Sequence, residues 1–305
     1  MIVKTRTESR ELSVFRALNS RMDLSAKDVA YYSNLEKGYQ GEILFDEWLF
    51  SAAEGGLILN DLLLEMNNTL FQLDSVLITA QIVYLFEVKN FEGDFAAEGD
   101  QWFTYSRKEI KNPLLQLKRN EQLFRRLLQE FGHQTKIQSH LIFNNPEFQL
   151  YQAPLNLPAV FHPQLNRFAV PLKKDTSLKL SSAHTKLADK LAAAHLDKSP
   201  FSSVPEYVWE GLRKGIGCRG CGVLYEHANK KTLVCKNCGR IENYTEAVIR
   251  ASKEYKLLFP EDKITTNIIQ EWCEIIQNKK TIKKALSSHY ERKGHNVSTH
   301  YVDRT

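Results

Sequence analysis

The sequence predicts a mixed α/β domain followed by two paired-cysteine knuckles and a small basic helical module. Three observations carry that reading. A helical stretch precedes three consecutive strand-length runs, four of the five cysteines fall between 218 and 238, and charge is split along the chain. The length of 305 residues allows two or three domains of ~100–200 residues each. No stretch approaches the ~18 uncharged apolar residues of a membrane span, and MIVKTRTESRELSV lacks the apolar core of a signal peptide. A cytoplasmic protein that does not cross a membrane is expected.

Residues 1–34 read as a polar, helical lead-in. SNLEKGYQGEILFDEWLFSAA (33–53) then predicts a helix, with Ser33 as its cap and Glu36 completing a capping box. Leu35, Tyr39, Phe45 and Leu49 form one stripe at helical spacing, and Glu42 interrupts it. Gly55-Gly56 ends the helix. LILNDLLLEM (57–66), LFQLDSVLIT (70–79) and IVYLFEVKN (82–90) follow as strands, and their short connections predict an antiparallel meander. Asn112-Pro113 opens a helix running to about residue 130. KIQSHLIFN (136–144) and AVFHPQLNRFAV (159–170) are further strands, 173–199 is a Lys- and Ala-rich helical stretch, and the Ser- and Pro-containing segment near 199–203 is a linker.

The chemistry-bearing feature is an acid and a base inside a strand. Glu87 and Lys89, two residues apart, share one face of the third run. If the last two strands pair about an Ala80-Gln81 turn, Thr79 faces Ile82 and Asp74 faces Glu87. Two carboxylates directly opposed on an apolar sheet repel. Lys89 supplies one counter-charge, and a divalent metal between Asp74 and Glu87 would supply more, with oxygen ligands suited to Mg²⁺. An isolated Glu-x-Lys is usually a surface ion pair. Here Glu42 interrupts an apolar stripe, Asp74 sits among strand residues, and Gln116 lies in the first turn of a capped helix. Buried acids are rare unless paired or ligating metal. Such a set suits phosphodiester hydrolysis, in which a metal polarises a phosphoryl oxygen and lowers the pKa of bound water, while a lysine stabilises developing charge.

GYQGE (38–42), FQLDSVLI (71–78), FEVKNFEGD (86–94) and NPLLQLKRN (112–120) together resemble the successive motifs of the nuclease-related domain, a family of the PD-(D/E)xK nuclease superfamily. The resemblance covers roughly 35–160. It implies an α/β, restriction-endonuclease-like core of helix, antiparallel meander, helix and further strands. It also implies a catalytic set of Glu42, Asp74, Glu87, Lys89 and Gln116. In that set Glu42, Asp74 and Glu87 are metal-side acids, Lys89 is the catalytic lysine, Gln116 lines the site, and the Val88 carbonyl joins Asp74 and Glu87 on Mg²⁺ or Mn²⁺.

Cys218, Cys221, Cys235 and Cys238 read C-x₂-C, thirteen residues, C-x₂-C, with Gly222 and Gly239 after the pairs. That spacing predicts one structural Zn²⁺ in a zinc ribbon. Cys273 falls in an Ile269, Trp272, Ile276 stripe and reads as a core residue. The nine histidines do not cluster at ligand spacing. The tail predicts two helices, 264–277 and 279–293, then an extended end. Lys279, Lys280, Lys283, Lys284, Arg292 and Lys293 lie on the exposed face of the second helix. This pattern looks like a helix-turn-helix or winged-helix nucleic-acid reader, with a plain helical hairpin bearing a solvated lysine face as the alternative. Charge favours a polyanion partner: residues 1–210 hold 23 basic and 26 acidic side chains, and 211–305 hold 18 and 10.

The expected domains are a lead-in (1–34), a nuclease-related domain (35–170), a helix and linker (171–210), a zinc ribbon (211–245) and a helical module (246–305). The expected function is metal-dependent hydrolysis of nucleic acid, DNA above RNA, with ribbon and basic helices binding the substrate. The alternatives are a catalytically silent nucleic-acid-binding or scaffold protein, and an adaptor whose zinc ribbon holds a protein partner.

Overall fold

The computed structural model describes residues 1–197, 203–227, 229 and 231–304. The chain begins with β1 (Ile2–Lys4), α1 (Arg10–Arg21) and the long α2 (Ala26–Ala52). The expected helical lead-in thus opens as a strand, in which Ile2 and Lys4 lie parallel to Ile58 and Leu59. Ser33 does not cap α2. Ser25 does, its Oγ accepting from the Asp28 N–H at 3.2 Å. AKDVAYY, ahead of Ser33, contains no helix breaker, and a serine inside a helix costs only a few tenths of a kcal/mol, about 0.5 relative to alanine.

The meander forms as expected: β2 (Leu57–Met66), β3 (Thr69–Ile78) and β4 (Ile82–Lys89). Asn67 and Asn68 both take positive φ, 49° and 59°, the geometry a two-residue hairpin turn requires. Ile78 pairs with Val83 and Ser75 with Phe86, the register predicted about Ala80-Gln81. Next come β5 (Gly93–Glu98), β6 (Gln101–Thr104) and β7 (Glu109–Ile110), which the sequence reading did not find. They are too short for their alternation to stand out. Then follow α3 (Pro113–Glu130), β8 (Lys136–Phe143), β9 (Phe148–Tyr151) and β10 (Ala159–Phe161). Asn112 Oδ1 caps α3, accepting from the Leu114 N–H at 2.9 Å. The strand expected over 159–170 stops at Phe161. A 3₁₀ turn at His162–Gln164, with Pro163 in its first turn, leads into α4 (Leu165–Thr176).

After α5 (Ser182–Ala193), the remaining elements are β11 (Thr232–Val234), β12 (Ile241–Asn243), α6 (Tyr244–Leu258), α7 (Thr266–Cys273), α8 (Lys279–His289), β13 (Glu291–Lys293) and β14 (His300–Val302). The last helix is shorter than the expected 279–293. Tyr290 is extended and buried, so Arg292 and Lys293 sit on a strand rather than on the helix. The residues of the linker expected near 199–203 lie outside the described ones, apart from Ser203. None of the described helices is long and apolar enough to cross a membrane.

The chain divides into two compact units, Met1–Glu8 with Asn34–Phe201, and Ser9–Ser33 with Ser202–Thr305. The first is built on a six-stranded sheet in the order β1-β2-β3-β4-β8-β10, with a second sheet ordered β7-β6-β5-β9. Strand alternation gives the six-stranded sheet two apolar faces. Ile58, Leu77, Tyr84, Phe86 and Val88 pack with Phe45 and Leu49 of α2 and Leu172 of α4. Leu59, Val76, Ile78, Val83 and Leu85 pack with Phe124 and Leu128 of α3 and Leu187 of α5. In the second unit, Val14 and Leu18 of α1 share one core with Tyr225 and Leu233 of the cysteine segment and with Val248, Trp272 and Leu286 of α6–α8.

Candidate active site and metal centre

Glu87 and Lys89 continue the alternate series begun by Val83 and Leu85, so they emerge on the α3 face of the sheet. Asp74 shares that face with Val76 and Ile78. One step beyond the Ser75–Phe86 pair, Asp74 Oδ2 accepts from the Val88 N–H at 2.7 Å. Lys89 Nζ donates to Glu87 Oε1 at 2.7 Å and, more weakly, to Gln116 Oε1 at 3.4 Å, from the first turn of α3. Asp74, Glu87, Lys89 and Gln116 are therefore brought together. The Glu87 side chain is 3% exposed and that of Lys89 21%, so the lysine is the more open of the pair.

The charges are not balanced. Burial pushes the Glu87 carboxyl up to about 7, Asp74 adds to the rise, and Lys89 opposes it. Asp74 is also raised, chiefly by burial, against the pull of Lys89 and the Val88 N–H. Burial works downward on Lys89, but Glu87 and Asp74 outweigh it and the net direction is up. The lysine is a cation at neutral pH, and a single ammonium leaves the two acids short of counter-charge.

Glu42 approaches this group from α2, but its hydrogen-bond partner is a residue the sequence reading passed over. Arg6 Nη1 donates to Glu42 Oε2 at 2.6 Å, and Nε and Nη2 donate to Asp46 at 2.8 and 3.0 Å. Nη2 also donates to the Asp74 carbonyl oxygen at 2.7 Å, and the Arg6 side chain is 4% exposed. Burial, with Asp74, pushes Glu42 up to about 8 in spite of Arg6. Asp46 lies one helical turn after Glu42, a spacing that could have found it. Arg6 carries no local signal. Asn120, four residues after Gln116, is buried and ties α3 to β3, Nδ2 donating to the Gln72 carbonyl at 2.8 Å.

The backbone before Glu42 is held closely. Asn144 Nδ2 donates to the Gly41 carbonyl, and Asn90 Nδ2 donates to that of Lys37 at 2.8 Å. A Cβ at Gly41 would collide with the Asn90 side chain, so only glycine fits there.

Residues 37–144 match the family model of the nuclease-related domain. This chain carries a nuclease-related domain. Glu42, Asp74, Glu87, Lys89 and Gln116 fall inside the match, and Arg6 falls outside it. The family implies a nuclease of the PD-(D/E)xK type and a nucleic-acid partner. No curated protein and no solved structure matches the chain.

The second unit holds the cysteine set. The four Sγ atoms lie within 4.8 Å of one another, the only group of three or more Cys, His, Asp or Glu ligands so placed among the described residues. Cys218–Cys238 and Cys221–Cys235 are each 3.5 Å apart. Tetrahedral thiolates at a Zn–S distance of about 2.3 Å would stand about 3.8 Å apart. The two knuckles are alike. The Gly222 N–H donates to the Cys218 carbonyl and the Gly239 N–H to the Cys235 carbonyl, both at 2.9 Å. Both glycines take positive φ, 75° and 72°, which explains the glycine after each pair. Burial works upward on Cys218, but the Gly220 and Cys221 N–H groups carry it down to about 6. The Arg240 N–H works downward on Cys238, but its sulfur neighbours and burial push it up to about 11. Four thiols in contact cannot all ionise without a cation, and the donor set fits Zn²⁺ with no position open to substrate. Cys273 is fully buried away from this set, with its thiol pushed up to about 12 by burial, as a core residue should be.

Proposed function

We propose that this protein is a metal-dependent nuclease that hydrolyses phosphodiester bonds, with DNA as the expected polymer. The single observation that carries the reading is the Asp74–Glu87–Lys89 arrangement, in which two buried acids lie beside one lysine. The oxygen donors of Asp74 and Glu87 fit Mg²⁺ or Mn²⁺, and the Val88 carbonyl is the proposed third ligand. A bound metal would polarise the phosphoryl group and acidify a water. Lys89 holds the attacking oxygen and offsets charge that builds on the phosphate, while Gln116 fixes the ammonium in place. Glu42, oriented by Arg6, stands as an outer acid of the same site. The zinc-bearing unit supplies the basic surface for the polymer.

The reading is tested by incubating pure protein with plasmid, linear DNA and RNA, with Mg²⁺, with Mn²⁺ or with no added divalent metal. Cleavage that requires metal and is lost in Lys89→Ala supports it. A second reading, a catalytically silent nucleic-acid binder, draws on one observation: Arg6 already satisfies Glu42 and Asp46. No cleavage of any polymer under any of these metals would select it.

A further inference from the structure

Residues 244–304 follow a fixed order of elements. After α6, Ile264 forms an antiparallel bridge to Tyr301; then come α7, α8 and the β13–β14 hairpin, in which Arg292 pairs with Tyr301. Helix, strand residue, helix, helix, hairpin is the layout of a winged helix-turn-helix. The apolar stripe of α8, Ile282, Ala285 and Leu286, is used by the core with Val248, Ala251, Tyr255 and Trp272. Among the described residues no helix or strand covers the opposite face, where Lys279, Lys280, Lys283, Lys284, Ser287 and Ser288 are exposed and the Arg304 guanidinium donates to the Ser287 carbonyl. On the hairpin, Arg292, Lys293 and His295 are exposed as well.

A solvated lysine face is the ordinary explanation of such a helix, and its composition argues against that here. A surface helix usually interleaves acids one turn from its lysines. The stretch 275–290 contains no Asp or Glu, and none of the four lysines makes an ion pair among the described residues. Lys279–Lys283 and Lys280–Lys284 are like-charge pairs one turn apart, each costing roughly 0.2–0.5 kcal/mol. Two such pairs at the N-terminal half of α8, where the helix dipole disfavours cations, add to the cost. A polyanion offsets both.

We infer that this face docks on double-stranded DNA without regard to base sequence, α8 lying in the major groove and the β13–β14 hairpin against the flanking backbone. The inference rests on the nuclease reading and names its substrate as duplex DNA. An α-helix is about 10–12 Å across, which matches the B-form major groove of about 12 Å. The A-form groove of duplex RNA is too narrow for it. Single strands are held by stacking on exposed aromatic rings, and the tyrosines directly before β13 and within β14, Tyr290 and Tyr301, are buried. Sequence independence follows from the side chains offered. Lysine can reach a guanine edge, but as a point charge on a flexible stem it meets phosphates equally well, and the exposed face of α8 carries no Arg, Asn or Gln whose planar donors would fix a base pattern. The nearest amides are occupied: Asn278 Oδ1 caps α8 at Lys280 N–H, and Gln277 Nε2 donates to the Glu274 carbonyl.

The test is fluorescence anisotropy of the full chain in magnesium-free buffer, so that binding is read apart from cleavage. The probes are two short DNA duplexes of unrelated sequence, the matching RNA duplex and one DNA strand. The two DNA duplexes should bind within roughly twofold of each other, and the RNA duplex and single strand at least tenfold more weakly. Replacing Lys279, Lys280, Lys283 and Lys284 by Ala, which favours the helix, should flatten the log–log salt dependence by about 3 to 4, at ~0.9 per phosphate contact. Arg292→Ala with Lys293→Ala should remove a further one to two. RNA bound as tightly as DNA, a tenfold preference between the two DNA sequences, or an unchanged slope in the four-lysine variant would each overturn the inference. Failure of cleavage with binding intact would sink only the nuclease reading.

Discussion

Replacing Lys89 by Met keeps most of the aliphatic stem and removes the only ammonium bonded to Glu87. Its effect on stability should depend on pH in a way fixed by the carboxyl. In the wild type Glu87 titrates near 7 when folded, against an ordinary value of 4.5. The folded state therefore keeps a proton that the unfolded chain has lost, and through this group stability falls as pH rises from 4.5 to 7. Above 7 the folded carboxyl is ionised by virtue of Lys89, and the decline stops. In Lys89→Met the carboxyl, 3% exposed and beside Asp74, should stay protonated, so the decline continues. At pH 7 the wild-type group is only half ionised, and the variant should lose under about 1 kcal/mol. At pH 9 the wild-type group is two pH units past its midpoint, and the loss should reach about 3 kcal/mol. The upward shift of Lys89 reflects the same attraction seen from the other partner and is counted once. The assay is urea unfolding in magnesium-free buffer with zinc retained, read by pulsed hydrogen exchange of peptides from β3 and β4. Cleavage with Mg²⁺ should fall at least about 100-fold at both pH values. An equal loss of stability at pH 7 and pH 9 would show that both acids stay charged in the fold and refute the reasoning. Retained cleavage would remove Lys89 from the chemistry.

Arg6→Gln should destabilise the first unit by about 3 kcal/mol above pH 8, where Glu42 is ionised and loses its cation, and by less at lower pH, where Glu42 keeps a proton; an unchanged urea midpoint for β3 peptides above pH 8 would show that the clasp is idle. His140 stacks on Tyr84 and Phe86 and meets Phe168 edge-on, and burial pushes its imidazole down to about 4. Below 6.5 the unfolded chain takes up a proton that the folded chain refuses, so this group should cost about 2 kcal/mol at pH 5 relative to pH 7. His140→Phe should remove that difference from paired urea titrations. Cys235→Ser should abolish copurifying zinc and, because Cys235 and Leu233 share a core with α6–α8, should loosen those helices in hydrogen exchange while β2–β4 stay protected; zinc-free wild-type protein with an ordered second unit would contradict this.

The meander, its register and the two knuckles were legible in the sequence because each rests on local rules. Period-two alternation, Asn-Asn at a hairpin and Cys-x₂-Cys-Gly all act within a few residues, and from them Asp74 falls beside Glu87 and Lys89. Gln116 followed from the Asn112 cap, which sets it in the first turn of the helix four positions on. What the sequence hid was nonlocal. Arg6 sits in a three-residue strand's extension with no periodicity, and only the sheet carries it to Glu42 and Asp46. Strands β5–β7 are too short to alternate visibly and exist because they pair with each other and with β9. The hairpin bearing Arg292 and Lys293 was mistaken for helix because its residues tolerate either state, and burial of Tyr290 and Tyr301 decides for strand. Side-chain chemistry was set by residue type and short spacing. Which charges neutralise one another was set by the packing of distant segments, because electrostatic partners are chosen by distance in space rather than along the chain.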